Sequence, residues 1–219
     1  ASKQPIINKN KTTVFNGEIY NFNEMNQENY LSDTIFLKKN LENKNILSLL
    51  NEIKGMFSIV SFDKLANELS FGTDYFGQKP LYYYHKSNFI FFSSQISSLV
   101  EFKFIEKELN TNSIKNYLDF NFIFGKETIF NNIYYQEPNT LVTFKIFNGK
   151  INKVNKCKIK KINNKKIIKS KNNLIKDLDN NFNNTIKLHI NTDVKTCSLL
   201  SSGIDSSLVS IYANKINTS

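Results

Sequence analysis

The sequence predicts an α+β domain that runs into the first strand, loop and helix of a second, α/β domain. Three observations predict it. Strand-length runs crowd the first half of the chain, helical patterns interrupt them without alternating regularly, and near residue 200 an apolar run, a small-residue turn and an apolar run of helical period follow one another.

The strand-like runs are TTVF (12–15), MFSIVSFD (56–63), ELSFGTD (68–74), LYYYH (81–85) and NFIFFSS (88–94). They alternate or run apolar at strand length and are parted by small polar breaks. Helical patterns fall at 32–53, with Ser32 or Asp33 as cap, at 93–102 and at 110–120. LVTFKIFNGKINKV (141–154) reads as a hairpin turning at Asn148–Gly149. The Lys-rich stretch that follows has no face that would bury well, so 150–171 reads as a solvated connector. Leu174, Leu178, Phe182 and Ile186 then stand four apart, one stripe of an amphipathic helix over 172–190. VKTCSLL (194–200) reads as a strand, SSGIDSS (201–207) as its turn, and SSLVSIYANKI (206–216) as the helix that follows. This order divides the chain into a first domain over 1–149, the connector, and the opening of a second domain over 172–219.

With 219 residues and 40% hydrophobic content the chain can fill a sizeable core. No run approaches the eighteen apolar residues of a membrane span, and no charged-then-apolar leader follows Ala1, so the expectation is a soluble, cytoplasmic protein with no membrane partner. Cys157 and Cys197 are too few for a disulfide framework. The net charge of +10 points to nucleic acid only until it is located: 1–149 holds 15 Lys against 15 acids, whereas 150–176 holds 11 Lys and no acid. Every basic side chain is Lys, so the segment lacks the bidentate donor that guanine and phosphate recognition favours. The composition argues against nucleic acid as partner.

Three stretches could carry chemistry. In VFNGEIYNF (14–22), Asn16–Gly17 is a strong hairpin signal, and equally a side-chain amide and a backbone N–H that could hold an oxyanion. In FGTDYFGQKPLYYY (71–84), Asp74 either caps a turn or offers a carboxylate to the ammonium of an amino-acid ligand. SSGIDSS is either a tight connection or a phosphate cradle, with Gly203 allowing close backbone approach, Ser hydroxyls and a helix N-terminus donating, and Asp205 able to reach a metal ion. His85 and His189 read as ordinary packing and capping residues.

FNGEIYN, DYFGQKPLYY, FFSSQISSLV, IFNNIYYQEPNT and LLSSGIDSSLV, in this order, resemble the glutamine-dependent asparagine synthetases over essentially the whole chain. The resemblance implies an N-terminal nucleophile hydrolase-like α/β/β/α sandwich followed by the start of a PP-loop ATP pyrophosphatase domain. It implies Asn16 and Gly17 as oxyanion donors, and Asn16, Gly17, Glu18 and Asp74 as contacts to glutamine. Leu200, Ser201, Gly203, Asp205, Ser206 and Ser207 would form the ATP site, with Asp205 near Mg²⁺ held through the pyrophosphate. The implied reaction hydrolyses glutamine to ammonia while ATP adenylates aspartate, and ammonia then displaces AMP. In that family the nucleophile is an N-terminal Cys whose own α-amine is the base; it would precede Ala1, so the chain by itself is expected to be inactive. Thr73 stands where the family has Arg, and Ser202 where it has Gly. These departures leave one alternative, an asparagine synthetase-like amidotransferase or β-lactam synthetase-like ligase acting on another carboxylate without glutaminase activity, and the Lys-rich segment 150–176 leaves a second, a nucleic-acid-binding module. Homodimerisation stays open.

Overall fold

A computed structural model describes residues 3–25, 30, 32–161, 169–190 and 196–217. Its strands are β1 (Ile6–Ile7), β2 (Lys11–Ile19), β3 (Gly55–Asp63), β4 (Glu68–Thr73), β5 (Tyr82–Lys86), β6 (Phe89–Ser93), β7 (Ile133–Tyr135), β8 (Thr140–Phe147) and β9 (Lys150–Lys158). Its helices are α1 (Phe22–Met25), α2 (Asp33–Asn43), α3 (Ile46–Glu52), α4 (Ile96–Val100), α5 (Thr111–Phe120), α6 (Lys171–Ile190) and α7 (Ile204–Asn217). The chain is mixed α+β and forms two compact units, Ala1–Lys161 and Ile162–Ser219.

The first unit is built from two antiparallel sheets, one of six strands in the order β1-β2-β3-β4-β8-β9 and one of three in the order β6-β5-β7. Period-two alternation sends successive side chains to opposite faces, and each face finds its own cover. Phe15, Ile59 and Leu141 meet Phe36, Leu37, Leu41, Leu49 and Leu50 of α2 and α3 on one face of the large sheet. Leu69, Phe71, Val142 and Phe144 meet Leu81 and Tyr83 of the small sheet on the other. The far face of the small sheet packs Tyr84 and Ile133 against Leu99 of α4. The layers are therefore helix, sheet, sheet, helix, the α/β/β/α sandwich.

Several expectations need correction. The helical pattern at 32–53 is two helices, because Lys44 is extended and the Asn45 side chain accepts from the Leu47 N–H to start α3 anew. Ser32, not Asp33, caps α2, accepting from the Ile35 N–H. The pattern at 93–102 shortens to α4. The hairpin at Asn148–Gly149 forms with both residues at positive φ, but its second arm runs on as β9 through Lys158, so 150–158 is an edge strand and not connector. Lys on an exposed edge blunts it against pairing with other chains, which is why a basic, barely buried segment is still a strand. The remaining connector residues 162–168 lie outside the described residues.

In the second unit α6 and α7 pack together through Phe182 and Tyr212, whose ring centroids are 5.0 Å apart. The Tyr212 hydroxyl donates to Asp179. Of the strand expected at 194–200, 194 and 195 lie outside the described residues and 196–200 has no regular structure. A strand exists through its ladder, and no described strand pairs with it. Leu199 is 90% exposed.

Candidate active site

Asn16 and Gly17 do not turn a hairpin. They lie inside the nine-residue strand β2, where Asn16 faces Ser58, Gly17 faces Phe57 and Glu18 faces Met56 across the β3 ladder. Gly17 is required there: its φ is +147°, and a Cβ would stand 2.0 Å from the Met56 carbonyl oxygen. Asn16 is exposed and Glu18 half-buried.

Asp74 follows the last residue of β4 on the other side of β3. Its N–H donates to the Phe57 carbonyl at 3.0 Å and its Oδ2 accepts from the Phe57 N–H at 3.0 Å, so its carboxylate replaces the next rung of the ladder. Oδ2 also accepts from the Gln78 N–H at 3.0 Å, and Oδ1 from the Phe76 N–H at 2.9 Å and from Gln78 Nε2 at 3.3 Å. The carboxylate is thus fixed by charge-assisted bonds. Asp74 is only 3% exposed. Asn16–Gly17–Glu18 and Asp74 flank one residue, Phe57, on strands two apart, a separation of about 10 Å from the spacing of strands.

Tyr20 and Tyr135, with Gln78, were not legible as site residues in the sequence. Burial raises the Tyr20 phenol above its ordinary value, and Glu18 and Asp74 add to the shift. Tyr135 is raised by burial first, then by Tyr82 and Asp74. Burial thus favours the neutral form of both phenols. The Tyr135 hydroxyl donates to the Gly77 carbonyl, and Gly77, at φ +67°, has the Pro138 ring where a Cβ would go. A Tyr at the end of a strand-like run carries no local signal that separates a site phenol from a packing one.

Thr73 is fully buried and its hydroxyl donates to the Glu137 carbonyl at 3.4 Å, behind the loop of Asp74. Cys157 lies on β9 opposite Leu141, four strand spacings from β2, about 19 Å.

In the second unit, SSGIDSS leads into α7. Ser206 Oγ reaches the Ser201 and Gly203 carbonyls at 2.9 and 3.1 Å, Ser207 Oγ reaches the Gly203 carbonyl at 2.9 Å, and Ser201 Oγ stands 2.8 Å from Ser206 Oγ. Gly203 N–H donates to Ser201 Oγ at 3.4 Å. Ser202 has no positive φ, so Ser is unstrained where the family has Gly. The amides of the first turn of α7 have no partner within the helix and open towards solvent with the exposed Asp205. Leu200 is 69% exposed beside this turn.

His85 packs edge-on against Phe144 with centroids 4.8 Å apart, and its buried Nε2 has no partner. His189 sits in the last turn of α6, its Nδ1 2.8 Å from the Thr185 carbonyl oxygen. Among the described residues no group of three His, Cys, Asp or Glu could hold a metal ion, and no helix is long and apolar enough to cross a membrane.

The four-layer sandwich agrees with the family that comparison of the sequence finds. Residues 1–155 match the glutamine amidotransferase domain family, and the chain belongs to it. Residues 177–219 match the asparagine synthase family. Among curated relatives, the chain is similar to a provisionally named glutamine-hydrolysing asparagine synthetase of Methanocaldococcus jannaschii, 30% identical over 90% of this chain and 39% of that protein. It is also similar to asparagine synthetase (glutamine-hydrolysing) 1 of Bacillus subtilis, 27% identical over 99% of this chain and 35% of that protein. The chain therefore spans less than two fifths of these relatives' length. Among solved structures, glutamine phosphoribosylpyrophosphate amidotransferase of B. subtilis aligns over 73% of this chain and 32% of its own, at a TM-score of 0.45 and 15% identity.

Proposed function

We propose that this chain is part of a glutamine-dependent amidotransferase of the asparagine synthetase type. Its first unit binds glutamine, with Asp74 and Glu18 receiving the α-ammonium and Asn16 and the Gly17 N–H donating to the oxyanion that forms on the side-chain amide. One such donor is commonly worth about 3 kcal/mol of barrier. The observation that carries the reading is Asp74 itself, a carboxylate buried at the end of β4, held by three backbone amides and one side-chain amide, and set opposite Gly17 across β3. The nucleophile in this reading is an amino-terminal cysteine of the complete enzyme. Cys157 is too distant, and an internal cysteine has no free α-amine to act as its base.

The second unit, in the same reading, begins the ATP site. The Ser201, Ser206 and Ser207 hydroxyls, the Gly203 backbone and the open amides of α7 would cradle the pyrophosphate, with Leu200 beside it. One carboxylate with neighbouring hydroxyls suits Mg²⁺ carried on nucleotide phosphates, and not a cage made by protein alone, so Asp205 would meet Mg²⁺ there and the ion would offset phosphate charge. The products of the complete reaction would be asparagine, glutamate, AMP and pyrophosphate. Thr73, turned behind the Asp74 loop, keeps a second reading in play, a related ligase acting on another carboxylate without glutaminase activity.

Titration of the chain with L-glutamine, followed through the Phe57 and Gln78 amide resonances, tests the first unit. Saturable shifts that Asp74→Asn weakens by about tenfold or more are expected, the worth of one charge-assisted hydrogen bond. Unchanged glutamine binding in Asp74→Asn would sink the assignment. Labelling of the full-length enzyme by a glutamine-mimicking electrophile would exclude the second reading.

A further inference from the structure

We propose that Asn139 is a positioning residue for Asp74, locking the loop that carries the carboxylate to the segment leaving β9; this rests on the reading that Asp74 receives the glutamine ammonium. Asn139 is the meeting point of two segments far apart in sequence. Its N–H donates to the Asp74 carbonyl at 2.9 Å and its carbonyl accepts from the Ile159 N–H at 3.0 Å. Its side chain clasps Lys160 from both sides, Oδ1 accepting from the Lys160 N–H at 2.8 Å and Nδ2 donating to the Lys160 carbonyl at 2.9 Å. Asn139 is 8% exposed and holds a φ of +55°, a conformation that Asn tolerates better than most residues.

The clasp bears on the carboxylate because three of the four donors that orient it belong to the same loop, the fourth being the Phe57 N–H on β3. Phe76 and Gln78 bond Asp74 from two and four residues on, so a shift of the loop carries carboxylate and loop donors together relative to Phe57 on β3 and Gly17 on β2. The backbone bond from Asn139 to Asp74 resists that shift only while Asn139 is itself anchored. Its anchor is Lys160, whose ammonium in turn donates to the Ile53 carbonyl at the end of α3 at 2.7 Å. The next residue, Lys54, holds Tyr20 through the Tyr20 N–H. One chain of bonds thus reaches the backbone of both Asp74 and Tyr20.

Asn139→Gly isolates the side chain, because Gly keeps the positive φ and loses only the clasp. The measurement compares L-glutamine with 4-carbamoylbutanoate, glutamine without its α-amino group, in the full chain. Wild type is expected to prefer glutamine, and Asn139→Gly to cut that preference about tenfold, with circular dichroism unchanged. Asn139→Asp should fall between, since a carboxylate accepts from the Lys160 N–H but cannot donate to its carbonyl. Equal loss for both ligands, or full preference kept in Asn139→Gly, overturns the positioning role; if that variant does not fold, full preference in Asn139→Asp does so. Loss of preference in Asp74→Asn with none in Asn139→Gly overturns the positioning role alone. No preference in wild type and no change in Asp74→Asn overturns the ammonium reading and this proposal with it.

Discussion

At Gly17 the candidate oxyanion position and the integrity of the sheet depend on one missing methyl group. The Cβ of an alanine would stand 2.0 Å from the Met56 carbonyl and the φ of +147° would be strained. Gly17→Ala should cost more than about 3 kcal/mol, read as a lower urea midpoint. His85 has a different sensitivity. Burial lowers its pKa, so between that lowered value and the unfolded value of about 6.5 the unfolded chain binds more protons. Stability is then full above about pH 6.5 and falls as pH drops through the window below it. His85→Phe should remove this part of the slope below about pH 6.5, measured by denaturant unfolding at each pH; an unchanged slope would show that His85 is not its source.

Among the elements, the break between α2 and α3 shows how one polar residue outweighs a continuous apolar pattern. Asn45 accepts from the Leu47 N–H at 2.8 Å and re-aims α3 so that Leu49 and Leu50 reach the same core as Phe36, Leu37 and Leu41 of α2. Asn45→Ala should lose about 1 kcal/mol with the secondary structure otherwise intact, a difference chemical denaturation resolves. The Asn-Gly pairs teach the complementary lesson. Asn148–Gly149 turns a hairpin, whereas Asn16–Gly17 sits in mid-strand, although both dipeptides carry the same local preference. The difference comes from β3, whose pairing continues past Gly17 to Gly55 and gives β2 a ladder that a turn would have to break.

On the scale of the molecule, the two units differ in how much they bury. The first has three apolar clusters between its layers, while α6 has no buried residue and Leu199, Leu200 and Ile204 are largely exposed. Apolar burial is the main stabilising term, so the second unit has little of its own to hold it. Amide hydrogen exchange should therefore be fast in α6 and α7 and slow in β3 and β4, as read by mass spectrometry at neutral pH. Comparable protection in both regions would contradict this account. Any ATP affinity of this chain should be weak for the same reason, since the loop before α7 is held by its own serine bonds and little else.

Local pattern by itself determined the mixed α+β class, most strands of both sheets and the amphipathic stripe of α6, and it marked Asn16–Gly17, Asp74 and the serines before α7 as candidates; Glu18 came only with the family resemblance. Period and turn chemistry are properties of neighbours in sequence, and these elements need nothing more. Only the tertiary structure decided that Gly17 lies in a ladder, that the Asp74 oxygens accept from Phe57, Phe76 and Gln78, that Tyr135 donates to the Gly77 carbonyl in the Asp74 loop, and that Asn139 ties the loop to Lys160. Each of those facts is a bond or a contact between segments distant along the chain, and strand pairing and burial, which create them, leave no mark on any one segment read alone.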